Sequence, residues 1–141
     1  MFGMSRVRAT GRFAGVVLAA ALQQAPPDAR ISQAEFKRLF TAKAVAVVDT
    51  RAEPEYSRAH VPGAMSLGDA DISAGVPAAT KTIAALKKAK RPVVVYCACP
   101  AEITSLRVAE ALRAAGVNDV RALTGGWVEW FNAGNPVEPS R

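Results

Sequence analysis

The sequence predicts an α/β domain built on a mostly parallel sheet, and three observations carry that expectation. Two short apolar runs, Val45-Ala46-Val47-Val48 and Val93-Val94-Val95-Tyr96, are rich in β-branched residues, as strands covered on both faces of a parallel sheet are. Segments with apolar residues at helical spacing separate these runs, so strands and helices alternate along the chain. Half of the 141 residues are hydrophobic, enough for one sizeable core.

Taken in order, residues 1–25 combine Arg6, Arg8 and Arg12 with a short apolar run from Phe13 to Leu22 and small residues after it. This is the layout of a secretory signal peptide, and the run is too short to span a bilayer comfortably. A secreted or periplasmic protein with no stable membrane insertion beyond the leader is therefore expected; the competing reading is an N-terminal helix. Residues 26–31 read as a linker, and 32–138 as one domain with a short tail at 139–141.

Ser32-Gln33-Ala34-Glu35 has the capping-box pattern and opens a helix with Phe36, Leu39 and Phe40 on one face. The strand at Val45–Val48 ends in Asp49-Thr50-Arg51, and Glu53–Arg58 reads as a short helix with Pro54 in its first turn. His60-Val61-Pro62-Gly63-Ala64 is a turn into a brief strand, Ala64 to Leu67, and Gly68 to Val76 reads as surface loop. Ile83 and Leu86 mark a helix from about Ala78 to Lys90, stopped by Pro92. Lys87, Lys88, Lys90 and Arg91 gather at its end, where positive charge complements the helix dipole. The strand Val93–Tyr96 leads to a helix over Pro100–Ala115, closed by Gly116. Asp119–Leu123 is the last strand, and Gly125-Gly126 opens a helix carrying Trp127, Trp130 and Phe131.

The formal net charge is +6, but residues 1–25 hold three basic residues and no acid, which leaves 15 basic against 12 acidic residues in the remainder. No basic run is interleaved with aromatics, so nucleic acid is not an expected partner. A C-x-C pair needs two further good ligands to hold a structural zinc, and the chain offers one histidine, His60, on a different turn. No metal and no organic cofactor are expected.

Both cysteines, Cys97 and Cys99, lie where the most strand-like run meets a helix start. A thiol there faces unpaired backbone N–H groups and the positive helix end, which favour the nucleophilic thiolate and can hold an anion against it. Pro100 suits the first helical position and leaves Cys99 as the N-cap. Two further readings stand beside this one: small buried hydrophobes, or a short-span disulfide in an oxidising compartment.

With these pieces in place, the chain resembles the single-domain rhodaneses, or sulfurtransferases, over roughly Ser32 to Glu138. The resemblance is carried by Asp49 and Arg51 after the first strand, Glu55-Tyr56, the His60–Ala64 turn and the strand-end cysteine. Leu112 with Gly116, and Gly125-Gly126-Trp127 with Trp130, complete it. It implies a mostly parallel five-stranded sheet flanked by helices on both faces, and an active-site loop wrapped around a cysteine persulfide. By strand position Cys97 is the nucleophile, and Ala98, Cys99, Pro100, Ala101, Glu102, Ile103 and Thr104 form the substrate cradle, with Asp49 and Arg51 in support.

The implied reaction moves sulfane sulfur from thiosulfate or a protein persulfide to cyanide or a thiol by ping-pong covalent catalysis, with loop amides stabilising charge. The alternatives are a non-catalytic persulfide carrier or docking module and a C-x-C thiol redox protein. The loop departs from the family pattern: C-A-C-P-A-E-I-T-S lacks glycine and any cationic side chain and carries Glu102. Counting from the strand selects Cys97, whereas counting back from Ser105 and Gly116 selects Cys99. Glu102 is expected to stabilise the helix start and to compete with an anionic donor, weakening thiosulfate turnover. A phosphatase is disfavoured, because neither Ile103 nor Ser105, six residues after each cysteine, can grip phosphate as arginine does.

Overall fold

The computed structural model of the protein describes residues 29–141. The expected signal peptide, residues 1–25, and the first part of the expected linker lie outside the described residues. The rest of that linker is structured. Arg30–Ile31 forms a strand, β1, that pairs in parallel with Val120–Leu123, and Ile31 is buried.

The elements then follow in alternation. Helix α1 spans Gln33–Thr41, strand β2 Ala46–Asp49, helix α2 Glu53–Arg58 and strand β3 Met65–Ser66. Helix α3 spans Asp69–Ala74, α4 Pro77–Ala89, β4 Val93–Tyr96, α5 Ile103–Ala114, β5 Val120–Leu123 and α6 Gly126–Asn132. The five strands form one parallel sheet in the order β1-β5-β4-β2-β3, so β4 is central. The α/β class and the five-stranded parallel sheet are as the sequence predicts.

Complete burial of the central strand explains its composition. Val93 and Val95 face one side of the sheet, packed with Leu86 of α4 and Val108 and Leu112 of α5. Val94 and Tyr96 face the other, packed with Phe36 of α1 and Trp130 of α6. All four strand residues are inaccessible to solvent, and each buried valine contributes about 1.5–3 kcal/mol of transfer free energy. Phe36, Phe40 and Trp130 form an aromatic cluster on this second side, and Trp130 Nε1–H donates to the Pro136 carbonyl at 2.8 Å.

Local chemistry sets the helix ends. The Ser32 hydroxyl accepts from the Glu35 N–H, as the capping pattern predicts. The segment Gly68–Val76, expected as loop, holds α3: Asp69 and Asp71 lie in its first turn, and Gly75 closes it in the left-handed conformation. Arg107 of α5 reaches Asp69 of α3 at 2.9 Å and ties the two helices together. Among the described residues no helix is long and apolar enough to cross a membrane.

Candidate active site

Cys97 follows directly on β4, at the carboxyl end of the central strand, where α/β sheets place their sites. It is buried and bonded to Cys99 as a disulfide that spans one residue, Ala98. Its carbonyl accepts from Trp127 N–H at 3.0 Å, at the start of α6. Its Sγ lies 3.6 Å from the hydroxyl of Ser105, a wholly buried residue of α5 whose own hydroxyl donates to the Glu102 carbonyl.

The loop does not run straight into a helix from Pro100. Pro100–Glu102 forms a 3-10 turn in which Ala101 and Glu102 take φ of 53° and 54°, left-handed backbone in non-glycine residues. Helix α5 starts only at Ile103. Ties from distant segments hold this turn. The Glu102 carboxylate accepts from Gly125 N–H at 2.9 Å and from Arg30 Nε at 3.1 Å. Glu102 therefore does more than sit at a helix start: it fastens the loop to β1 and to the turn before α6. With its charge paired to Arg30, the expected competition with an anionic donor loses much of its basis.

Of the expected cradle, Thr104 N–H points at a sulfur, and that sulfur is Cys99 Sγ, at 3.4 Å. In this oxidised loop the helix-start amide thus faces the second cysteine and not the first. Ala98, Pro100 and Ala101 are exposed, and Ile103 is 56% exposed, so these four form the outside of the loop. Cys99, Glu102 and Thr104 are partly buried and line its inner side.

Asp49 and Arg51, expected in support of the site, form a buried ion pair. The Arg51 guanidinium binds the Asp49 carboxylate through Nε at 3.1 Å and through its terminal nitrogen at 2.7 Å, and that nitrogen also donates to the Ala59 carbonyl. Asp49 also accepts the Tyr96 hydroxyl at 2.6 Å, and the Val61 N–H donates to the same tyrosine oxygen. Burial opposes the charge of Arg51, but hydrogen bonding to Asp49 and its negative charge outweigh this and raise the guanidinium pKa. Burial, reinforced by Asp49, pushes the Tyr96 phenol well above its usual range, so it remains a donor.

The Arg51 guanidinium also stands over the Trp127 ring, its central carbon 3.9 Å from the ring centroid. Arg51 and Trp127, with Glu55, Arg58, Ala59, Ala98 and Phe131, line a cleft of about 230 Å³ beside the disulfide loop. Sequence reasoning missed Tyr96, Arg58 and Ser105 as members of this region. Arg58 alone had a local signal, since it stands one helical turn after Glu55. A larger cavity of about 730 Å³, lined by Phe40, Val45, Met65 and Arg91 among others, opens near the amino ends of β2 and β4 and holds neither cysteine.

His60, a buried residue, keeps the turn role expected of it: Nδ1 lies 2.8 Å from the Tyr56 carbonyl, and its ring stacks on Tyr56. Among the described residues no group of three His, Cys, Asp or Glu side chains is disposed to hold a metal ion.

A family model described as a rhodanese-like domain matches residues 32–133. This chain belongs to the rhodanese-like family. The domain is also 32% identical, over 98% of this chain, to an HTH-type transcriptional regulator, Rv0324, of Mycobacterium tuberculosis strain ATCC 25618 / H37Rv; the match covers 57% of that protein, so this chain spans little more than half of the relative's length. Among solved structures it is similar to the BH2092 protein of Bacillus halodurans, with a TM-score of 0.67 and 23% identity over 80% of this chain and 78% of that one. A human single-domain sulfurtransferase superposes with a TM-score of 0.57 and 20% identity over 74% of this chain and 96% of that one. At these identities the two structures establish the fold.

Gly126 couples the rhodanese-like fold to its cysteine loop. Its φ is +51°, and a Cβ added there would stand 2.2 Å from the Cys97 carbonyl oxygen. Gly126→Ala is expected to cost about 1–3 kcal/mol through backbone strain and displacement of that carbonyl. Urea unfolding checks the stability loss, and the rate of disulfide reduction should rise as the loop loosens.

Proposed function

We propose that this rhodanese-like domain is a sulfurtransferase that carries sulfane sulfur as a persulfide on Cys97. The observation that supports it best is the position of that cysteine: at the carboxyl end of the central strand, with its sulfur beside the Ser105 hydroxyl and its loop bordering a cleft lined by Arg51 and Arg58. The reaction begins from the reduced loop. The Cys97 thiolate attacks the outer sulfur of thiosulfate or of a persulfide donor, and sulfite or a thiolate leaves. The sulfur then passes to cyanide or a thiol acceptor. Arg58, exposed at the cleft mouth, attracts an anionic donor, while Arg51 is occupied by Asp49 and shapes the wall.

The test is a coupled assay on reduced protein. Thiosulfate and cyanide should yield thiocyanate over many turnovers, with one sulfite per thiocyanate. A protein that makes no thiocyanate above background and gains no sulfur in intact mass is not a sulfurtransferase.

A second reading has its own support. The segment Ala98–Thr104 offers no cationic side chain, and the match to a transcriptional regulator places a similar domain in a protein named for control and not for catalysis. On that reading the loop loads sulfur once and presents it to a partner, and the same assay would give stoichiometric loading without turnover. Export is inferred from residues 1–25 alone, and N-terminal sequencing of the protein recovered from cell fractions tests it.

A further inference from the structure

We propose a second activity for the same loop: Cys99 is a resolving thiol that expels the sulfur held on Cys97 as hydrosulfide. The inference rests on the persulfide reading above and extends it to what happens when no outside acceptor arrives. Three observations carry it.

The chain holds two cysteines, and they are bonded to each other with Cα atoms 5.6 Å apart, so Cys99 Sγ reaches Cys97 Sγ across the single residue Ala98. The Thr104 N–H at the start of α5 points at Cys99 Sγ, which favours a thiolate there once the disulfide opens. Cys97 is 4% exposed whereas Cys99 is only partly buried. An external thiol therefore meets Cys99 more readily than the inner sulfur of a Cys97 persulfide, and attack on that inner sulfur falls to the neighbouring thiol.

The steps balance as follows. The Cys97 thiolate attacks the outer sulfur of thiosulfate; the donor S–S bond breaks, and sulfite leaves with the electron pair. The Cys99 thiolate then attacks Cys97 Sγ. A Sγ–Sγ bond forms, the persulfide bond breaks, and the terminal sulfur departs with the bonding pair, taking a proton from water. That sulfur gains two electrons, the two cysteines lose them, and the disulfide seen in the structure is the product. A protein dithiol reopens it. One of its thiolates attacks the more accessible Cys99 Sγ and releases the Cys97 thiolate beside the Ser105 hydroxyl. Its second thiol closes the external disulfide and frees Cys99. The net reaction reduces sulfane sulfur to sulfide at the expense of a dithiol.

The experiment is a single turnover without oxygen. Wild-type protein is reduced, freed of reductant and mixed with thiosulfate; sulfite, sulfide and intact mass are followed. Wild type should release one equivalent each of sulfite and sulfide and end two hydrogens lighter than the reduced chain. Cys99→Ser, with Cys99→Ala as a second variant, should release sulfite, gain one sulfur atom and hold sulfide at background. Wild type that keeps the extra sulfur and releases no sulfide overturns this inference while leaving the persulfide reading intact. Equal sulfide from wild type and both variants also overturns it. Absence of both sulfite and sulfur gain in every form removes the persulfide reading and this inference together.

Discussion

Asp49→Ala is expected to lower the free energy of unfolding by about 3–5 kcal/mol, a large part of the 5–15 kcal/mol that holds a typical domain folded. The carboxylate has no solvent exposure and serves three donors at once: the Arg51 guanidinium, the Arg51 backbone N–H and the Tyr96 hydroxyl. Removing it leaves a guanidinium whose side chain is 6% exposed without its counter-charge, and a buried phenol without its acceptor. The loss comes from stranding the partner and not from any large net worth of the pair. Asp49→Leu combined with Arg51→Leu, which removes both charges, should therefore cost less than Asp49→Ala alone. Urea unfolding of the three proteins decides this. A loss below about 1 kcal/mol for Asp49→Ala would mean that the pair acts like an exposed surface bridge.

That network also shows what the sequence could and could not disclose. Asp49 and Arg51 were singled out through the family resemblance, as the acidic and basic residues that follow the first strand. Tyr96, 47 residues further on, joins them because β2 and β4 are adjacent in register, with Asp49 opposite Tyr96. Periodicity within one strand carries no information about which strand lies beside it. The same limit hid β1: two residues, Arg30 and Ile31, are too few for any alternation, and only pairing with β5 makes them a strand.

The loop illustrates a second limit. Strand end, proline and helix periodicity located the cysteines correctly between β4 and α5. The left-handed backbone at Ala101 and Glu102 was not legible, because neither residue favours it locally. It is imposed by Arg30 and Gly125, which hold the Glu102 carboxylate from 72 and 23 positions away. A disulfide between the cysteines was one of the readings open to the sequence, whereas the direction of the Thr104 amide, toward Cys99, depended on that turn.

Cys97→Ser is expected to reduce thiocyanate formation by about a thousandfold or more, to the uncatalysed background. A serine hydroxyl at this position is neither ionised near neutral pH nor able to form a persulfide, and no other side chain near the loop replaces it except Cys99. The comparison with Cys99→Ser therefore locates the chemistry. If Cys97 takes the sulfur, Cys99→Ser loads it and passes it to cyanide, while Cys97→Ser does neither. The opposite pattern would move the nucleophile to the thiol that Thr104 N–H faces. Reduction supplies an independent control. The disulfide blocks both sulfurs, so untreated wild type should be inactive until a dithiol is added, whereas Cys99→Ser cannot form the bond and should need none. Unfolding measurements on both variants separate a lost nucleophile from a lost fold, because Cys97 is packed beside Ser105 and Cys99 is partly open to solvent.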